Sequence, residues 1–461
     1  MEAFDDYDDS HRQQQFFLPA NGKTFRKAPP NCSLEDYHSF YWHQFHHSMF
    51  PFSSDCLMYL LSNQTSDLTL RVGWIRLQYM VRHQNVTNHH ILYLCRMACG
   101  GMGDRIRAML NSFYLALATG ASFSINVEQP VHWDDFFLPL NADFETSTSK
   151  NGFLARHGWQ QDYIQHSKEF DLLKKILNDS TVDRSDEAGH WDQYLGDDEK
   201  HPRYDYFIQS NLKTRLFDWD DDSAREIVVL SGNTFRTESF KQNRYAKDFW
   251  NHYALKDLGR AERSYIFYQL FMARPSLYLE TVIAPYLPRL QHTYVIGMQI
   301  RLGNTFNLTE SGWGEDERHR AGCVICMAIQ AKAMCGQQRQ CAIWVASDTP
   351  SALTEIETFF QNDDTMDVVY SRGPLTHMDR SDFRGKDTLR FNARTFVDWY
   401  VMAEYSDAFI LSRSGFGEHA SWYKLENHTH FRPAFQFVSD DPNCLFQDFR
   451  QIQNRLSWNE Y

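Results

Sequence analysis

The sequence lacks two features that would place it at once in a common class: an excess of basic residues and a long apolar run. Its 59 acidic residues outnumber the 46 Lys and Arg, which gives a formal net charge of −13. Nucleic-acid binding draws much of its affinity from basic side chains on phosphates, so no nucleic-acid partner is expected. No stretch reaches the roughly 18 apolar residues of a membrane-spanning helix. The acidic, polar start is not typical of a signal peptide either.

A convincing metal-binding pattern is also missing. Four cysteines between 323 and 341 have the spacing C-x2-C-x8-C-x5-C, which is not a usual zinc pattern. The run DWDDD at 218–222 has no apolar strand before it, which favours a solvated loop over a metal site. A histidine-rich stretch reads better as an amphipathic packing segment than as a ligand set: His38, His43, His46 and His47. We therefore expect no metal and no cofactor.

Cysteines and glycosylation sequons favour the secretory pathway. The chain has nine cysteines, so disulfides or buried thiols are expected, and at least one thiol has no intrachain partner. Six N-x-S/T sequons occur, at Asn31, Asn63, Asn85, Asn178, Asn307 and Asn427. The expected location is the Golgi lumen or another secretory compartment, with a cytoplasmic protein as the alternative. The oligomeric state stays open.

The composition and the apolar patterns predict two α/β units. At 43% hydrophobic and 15% aromatic residues, 461 residues suffice for one large or two medium domains, each with a real core. Residues 91–94 and 122–127 read as strands on either side of a helix at 104–118. Strands and helices then alternate from 294 to 412, which indicates a parallel sheet with helices on both faces. We expect a lead-in or stem-like segment at 1–75, a Rossmann-like domain at 76–290 with an acidic insertion at 140–255, a second Rossmann-like domain at 291–440, and a tail at 441–461 that packs back.

Three loops at the ends of these strands carry residues suited to an anionic ligand. The first contains Gly100, Gly101 and Gly103, which allow close backbone approach, followed by Arg105 and a helix. A structural tight turn is an equal reading of this loop.

The second loop places Arg301 directly after the strand VIGMQI. An Arg fork donates two parallel hydrogen bonds to a diphosphate, although a surface ion pair is the alternative. The third loop, from Ser412 to Glu418, follows the strand AFIL and offers hydroxyls and backbone N–H groups.

The order and spacing of these motifs resemble the fucosyltransferase superfamily, and most of all the plant xyloglucan α1,2-fucosyltransferases. The shared features are a Gly-Gly-x-Gly loop before a long apolar helix, a G-x-Q-I-R strand end at 297–301, and the Cys-containing helix CVICMAIQ. In addition, Asp398 lies sixteen positions before a loop that reads S-G-F-G at 414–417. The family carries Thr where this chain has Gly415, and Arg413 and Glu418 also depart from the plant pattern.

The resemblance implies a GT-B fold, in which two Rossmann-like domains face each other across a cleft, the first on the acceptor side and the second binding a GDP-sugar. Arg301 would be the catalytic residue that holds the β-phosphate. Other donor contacts would come from the Gly-rich loop with Arg105, from Asp348 near the site, and from Ser414, Gly415 and Phe416 along the diphosphate. Asp398 would accept hydrogen bonds from the N1–H and amino group of guanine.

By this resemblance the chain is an inverting glycosyltransferase that moves L-fucose from GDP-fucose to a hydroxyl of an oligosaccharide or polysaccharide acceptor, with galactose and an α1,2 linkage as the favoured choice. The alternatives are a transferase for another GDP-sugar or a UDP-sugar, and a non-catalytic sugar-binding protein on the same fold. The sequence does not single out a general base, for which Asp104, Glu310 and Glu418 are the candidates.

Overall fold

The computed structural model describes part of the chain. The described residues are 28–30, 32–43, 51–63, 67–84, 89–95, 100–119, 121–127, 130–138, 226–230, 255, 258–302, 315–336, 340–373, 388–412, 414–426, 430–438, 444–445 and 449–452. The run DWDDD, Glu310, Arg413, His46 and His47 lie outside these ranges, as do five of the six sequons and nearly all of the acidic insertion. Statements about those residues therefore stay predictions.

The first half contains a small parallel sheet and a set of helices. Its described elements are α1 (Leu34–His43), α2 (Ser54–Asn63), α3 (Leu68–Gln84), β1 (His89–Cys95), α4 (Met102–Thr119), β2 (Ser122–Val127), a 3₁₀ turn (Trp133–Asp135), β3 (Phe137–Leu138), β4 (Glu226–Leu230), α5 (Arg260–Phe271), β5 (Arg274–Pro275), α6 (Leu277–Ile283) and α7 (Leu287–Leu290). Strands β2 and β4 pair in parallel with either edge of β1, in the order β2-β1-β4. Helix α4 joins β1 to β2, so the predicted strand–loop–helix–strand unit is present.

The second half contains a larger sheet. Its described elements are β6 (Tyr294–Ile300), α8 (Glu315–Cys335), β7 (Cys341–Ser347), α9 (Pro350–Phe360), β8 (Met366–Val369), α10 (Thr388–Tyr405), β9 (Ala408–Leu411), α11 (Gly415–Ser421), β10 (Ala434–Phe437) and β11 (Phe449–Gln451). The strand order is β11-β10-β9-β6-β7-β8, parallel throughout except for β11. Strand β7 is buried along its whole length, as expected for a parallel strand with helices on both faces.

The two sheets are separate, and an apolar seam joins the two halves. Phe136 of the first half stacks on Phe396 of α10, with ring centroids 3.8 Å apart and planes 4° from parallel. Across the same seam, Gln269 Nε2 donates to the carbonyl of Tyr423 at 3.1 Å, and Tyr423 Oη donates to the carbonyl of Met272 at 2.8 Å. The larger core cluster contains residues of both halves, so the halves are packed together along this seam.

The described part of 1–75 differs from a stem-like lead-in. Helices α1 and α2 contribute Tyr37, Tyr41 and Leu57 to the core, each at most 2% exposed. A disulfide between Cys32 and Cys56 ties the two helices together. The polar composition that suggested a lead-in belongs mainly to residues before 28, whereas Tyr37, Phe40 and Tyr41 pack inward. His38 is bonded to Asp67, at 2.6 Å, and does not belong to a metal cluster among the described residues.

Disulfides also explain the cysteine-rich stretch of the second half. Cys335 is bonded to Cys341, and Cys326 of α8 is bonded to Cys444, while Cys323 is a buried free thiol. The Cys326–Cys444 bond attaches the C-terminal tail to α8, and the tail's strand β11 adds an antiparallel edge to the second sheet. The disulfide and the strand pairing of the described tail residues are with the second half, whereas a tail that crosses back to the first domain stays a prediction.

Candidate donor site at the seam between the two halves

Strand β6 lies at the point where the strand order of the second sheet reverses. From β6 the sheet grows through β7 and β8 on one side, and through β9 and β10 on the other. Ligands of such sheets bind beside the carboxyl ends of the strands at this switch point. Arg301 follows β6 directly, and the loop that begins at Ser412 follows β9. The topology thus brings the second and third predicted loops side by side.

Buried hydrogen bonds fix the ends of these two strands against each other. The backbone N–H of Arg301 donates to Ser412 Oγ at 3.0 Å, and that hydroxyl donates in turn to Gln299 Oε1 at 2.8 Å. The N–H of Ser412 also donates to the carbonyl of Gln299, at 2.9 Å. Ser412, which the sequence did not single out as a site residue, is the link between the two loops.

The guanidinium of Arg301 is available to a ligand. The residue is partly exposed, and within the described residues its side chain makes no hydrogen bond or ion pair. A surface Arg already paired with a carboxylate was the alternative reading of this position. The described part of the chain contains no such pair, so the charge of Arg301 is not neutralised there by another side chain.

Asp348 supports this loop through the backbone. Its Oδ1 accepts the N–H of Leu302 at 3.0 Å and the hydroxyl of Thr349 at 3.1 Å. The carboxylate that follows β7 therefore holds the residue next to Arg301. This contact makes Asp348 a positioning residue for the backbone that follows Arg301, and its predicted contact with a ligand stays a prediction.

In the glycine-rich loop, backbone geometry explains the first glycine, and a hydrogen bond of the second ties the loop to α4. Gly100 has φ of 78°, a left-handed conformation that glycine adopts without strain. The N–H of Gly101 donates to Asp104 Oδ2 at 3.2 Å, which caps the start of α4.

Arg105 does not lie on the surface of this loop. It is 1% exposed, its Nε donates to the carbonyl of Gly100 at 2.9 Å, and Nη1 lies 3.0 Å from Cys95 Sγ. These contacts hold the loop from its buried side. They differ from the predicted contact of Arg105 with the sugar-nucleotide donor. The sequence could not distinguish the two roles, because an Arg after a glycine-rich turn suits either one.

Gly103 lets the two halves approach at the start of α4. A Cβ on this residue would lie 2.7 Å from the carbonyl carbon of Gly415 and 2.8 Å from the amide nitrogen of Phe416. Real Cβ atoms do not come this close to backbone, so the beginnings of α4 and α11 touch through glycine. The first and third predicted loops are thereby brought into direct contact.

The third loop begins with a conventional helix cap. Ser414 has extended backbone angles, and its hydroxyl accepts the N–H of Phe416 at 3.3 Å. Phe416 is partly buried against the larger core. At Gly415, an added Cβ would lie 3.2 Å from Nη2 of Arg107, so this guanidinium occupies the space beside the glycine.

Asp398 lies in the middle of α10, near the carboxyl end of β8. It is 5% exposed, its Oδ1 accepts the hydroxyl of Ser371, and its Oδ2 lies 3.5 Å from Arg394 Nε. Burial raises the pKa of Asp398 to about 6, against the opposing effects of Arg394 and Ser371. At neutral pH the residue is mainly a carboxylate, which can accept hydrogen bonds.

The described candidates for a general base differ in exposure. The side chain of Asp104 is 42% exposed and lies 3.9 Å from Arg107 Nη1. The side chain of Glu418 is 13% exposed and lies 3.8 Å from Arg260 Nη2. Asp104 is therefore the more accessible carboxylate at the seam.

A buried histidine, which sequence reasoning missed, also crosses the seam. His419 of α11 is 1% exposed, and its Nδ1 is hydrogen-bonded to Tyr268 Oη of α5. Burial, with nearby Arg260 and Arg107, lowers the pKa of His419 well below its ordinary value, so the ring is neutral. Its position one turn into α11 was the available signal, but a lone histidine in a helix has many uses.

The described residues contain neither a metal-binding cluster nor a membrane-spanning helix. No cluster of three or more His, Cys, Asp or Glu side chains that could hold a metal ion occurs among them. None of the helices described is both long enough and apolar enough to cross a membrane.

Comparisons with known proteins address the fold. The Arabidopsis thaliana FUT1 mutant in complex with GDP superposes with a TM-score of 0.52 and 12% identity, over 94% of this chain and 90% of that chain. Fucosyltransferase NodZ from Bradyrhizobium has a TM-score of 0.42 and 13% identity, over 79% and 98%. POFUT1 in complex with GDP has a TM-score of 0.36 and 11% identity, over 76% and 99%. No protein-family model matches the sequence, and the curated proteins contain no significant match.

At these identities a structural match concerns the fold, and among these three the FUT1 structure has a TM-score above 0.5. Together with the two separate sheets described above, this match confirms the fold class expected from the sequence. The chain is a mixed α/β protein with two Rossmann-like units in the GT-B arrangement.

Proposed function

We propose that this protein is an inverting glycosyltransferase that moves L-fucose from GDP-fucose to a hydroxyl of a glycan acceptor, without a metal cofactor. The observation that carries the proposal is Arg301. Its guanidinium has no partner among the described residues, and the residue directly follows β6, at the point where the strand order of the second sheet reverses. A fixed cation at that place suits the diphosphate that leaves when a glycosyl bond breaks.

The neighbouring residues support the same role. Ser412 and Asp348 hold the backbone of Arg301 and Leu302, so the point from which the guanidinium extends is fixed before a ligand arrives. Such preorganisation is how fixed charges lower a barrier without reorganising during the reaction. The meeting of Gly103 with Gly415 adds two backbone loops to the same region. We propose that these loops line the diphosphate and that Asp398 binds the guanine.

We propose Asp104 as the base that receives the proton of the acceptor hydroxyl. It is the exposed carboxylate at the start of α4, on the first half, where the GT-B arrangement places the acceptor. Galactose as the acceptor and an α1,2 linkage follow from the resemblance to the plant xyloglucan enzymes.

The disulfides support a secretory location for this activity. Three bonds lie in the described residues, Cys32–Cys56, Cys326–Cys444 and Cys335–Cys341, and such bonds persist in oxidising compartments. Asn63, the sequon within the described residues, is exposed at the end of α2. We propose residence in the Golgi lumen. An enzymatic deglycosylation that leaves the mass of secreted protein unchanged would count against it.

A nucleotide and donor panel tests the proposal. Calorimetric titration with GDP, UDP and ADP should give tight binding of GDP alone, and GDP-fucose should be hydrolysed or transferred in preference to GDP-mannose and the UDP-sugars. An acceptor array with galactose-ended glycans then assigns the linkage. Preferential turnover of another sugar nucleotide would favour a different transferase, and GDP binding without any turnover would favour the non-catalytic sugar-binding protein.

A further inference from the structure

Arg394 lies one helical turn before Asp398 on α10 and faces the same site. It is 8% exposed, and its Nη1 donates to the carbonyl of Gly373 at 2.9 Å. Its Nε lies 3.5 Å from Asp398 Oδ2. Within the described residues, its Nη2 is buried and has no hydrogen-bond partner.

An unpartnered guanidinium nitrogen at this depth points to a missing acceptor. Buried polar groups are nearly always hydrogen-bonded, and leaving one unpaired is costly, so an exception needs an explanation. The residues around it, Ser371 and Gly373, follow the carboxyl end of β8. That edge of a parallel sheet is where ligands bind, which makes a ligand atom a reasonable partner for Arg394 Nη2.

The two side chains together present an acceptor beside a donor. A complementary ligand edge carries hydrogen-bond donors for the carboxylate and, next to them, an acceptor for Nη2. The edge of guanine has this order, with the 2-amino group, the N1–H and then the 6-oxo group. Adenine has an amino group at position 6, and uracil flanks its single N–H with two carbonyls, one of which would face the carboxylate.

We propose that Arg394 is a specificity-determining residue that donates from Nη2 to the 6-oxo group of a guanine whose N1–H and 2-amino group are bound by Asp398. The inference rests on the proposed function, in which Asp398 binds the base. It adds a second contact, so that the site distinguishes guanine at position 6 as well as at positions 1 and 2. Asp398 alone could not detect a change of the 6-oxo group that left the N–H groups in place.

Two analogues of GDP separate the contacts. In 6-thio-GDP the oxygen at position 6 is replaced by sulfur, a weak acceptor, while N1–H and the 2-amino group remain. Inosine diphosphate keeps the 6-oxo group and N1–H but lacks the 2-amino group. Calorimetry on the full chain at neutral pH should show 6-thio-GDP binding about tenfold more weakly than GDP, which is the lower end of the discrimination given by a two-pronged base contact.

The variant Arg394→Met removes the donor and keeps the aliphatic stem. It should weaken GDP by about 10- to 100-fold and bring the affinities of GDP and 6-thio-GDP together, while the ratio of GDP to inosine diphosphate stays as in the wild type. Because each ratio is taken within one variant, a change in the ionisation of Asp398 cancels. Arg390→Met is the matched control, since Arg390 is exposed one turn earlier on α10, and it should bind all three nucleotides as the wild type does.

A purely structural Arg394, holding Gly373, would give another pattern. All three nucleotides would then weaken by the same factor in Arg394→Met, with the ratio of GDP to 6-thio-GDP unchanged, and this result would overturn the inference. Equal binding of GDP and 6-thio-GDP to the wild type would overturn it without any variant, even if Arg394→Met does not fold. A wild type that binds no GDP at all would remove the proposed function together with this inference, whereas each preceding outcome leaves the proposed function standing.

Discussion

Replacement of Gly103 by Ala tests the contact on which the proposed donor site depends. The added Cβ would lie 2.7 Å from the carbonyl carbon of Gly415 and 3.0 Å from its oxygen. Carbon atoms pack at about 3.5–4.0 Å, so the starts of α4 and α11 must separate by about 1 Å. Overpacking of this kind costs about 1–3 kcal/mol of stability. A displacement of about 1 Å at a reacting site lowers the rate by about 10²-fold.

The assay compares denaturant midpoints, GDP affinity and kcat/KM for GDP-fucose between the wild type and Gly103→Ala. Gly101→Ala is the matched control for stability, because the nearest heavy atom to its added Cβ is Asp104 Oδ2 at 3.8 Å. That control should change the free energy of unfolding by less than about 1 kcal/mol, in the stabilising direction if the unfolded-state effect dominates. A Gly103→Ala protein with the wild-type midpoint and wild-type GDP affinity would refute the close approach of the two helices.

Three further predictions concern the chemistry of the site. Arg301→Ala should lower turnover by about 10²- to 10³-fold, and Arg301→Lys should recover little, because a point charge cannot make the two-pronged contact; near-normal turnover of Arg301→Ala would show that the donor site is misplaced. Affinity for a GDP-sugar should fall about tenfold per pH unit below pH 6, because the pKa of Asp398 is about 6 and protonation removes the acceptor for the base. A pH series by calorimetry on the wild type and Asp398→Asn checks this, and an equal slope in both proteins would exclude Asp398 as its source. Activity should survive a strong chelator, because Arg301 would supply the positive charge that a metal ion supplies in other transferases. Loss of activity that manganese restores would point to a metal site in the DWDDD region.

The raised pKa of Asp398 also has a consequence for stability. A carboxyl whose pKa is higher in the folded protein binds its proton more tightly there than in the unfolded chain. The contribution of Asp398 to the free energy of unfolding is therefore most favourable below the ordinary Asp pKa of about 3.9, and it is lost as the pH rises through about 6. Stability is lowered at neutral pH, where the function proposed for Asp398 needs the carboxylate.

The strands of the second half could be predicted from the sequence because burial leaves a local signal. A parallel strand with helices on both faces is a short continuous apolar run, and the runs at 294–300 and 408–411 are such strands. The segment 261–290 carries a less clear local signal, since it contains α5, β5, α6 and α7. Ser276 caps α6 by accepting the N–H of Leu279, and Pro285 and Pro288 interrupt the helical pattern after it.

The parts of the site that could not be predicted depend on distant contacts. The approach of Gly103 to Gly415 joins residues more than three hundred positions apart, and neither glycine carries a local sign of its partner. The bond between Tyr268 and His419 crosses the same seam. The role of Arg105 could not be predicted for a related reason. Whether an arginine side chain contacts a ligand or the core is decided by the elements that pack against it, which can be distant in the sequence.

Gly415 stands where the fucosyltransferases that the sequence resembles carry Thr, and a side chain from the other half of the protein lies beside it. A Thr would add a hydroxyl, but its Cβ would lie 3.2 Å from Nη2 of Arg107, so the guanidinium would have to move. In this chain the space beside the loop is thus occupied by a cation from α4 rather than by a hydroxyl from α11. Both groups can donate hydrogen bonds to an anion, and the arginine also brings a positive charge. The absence of a Thr hydroxyl at position 415 therefore does not argue against an anionic ligand, because Arg107 Nη2 lies beside that position.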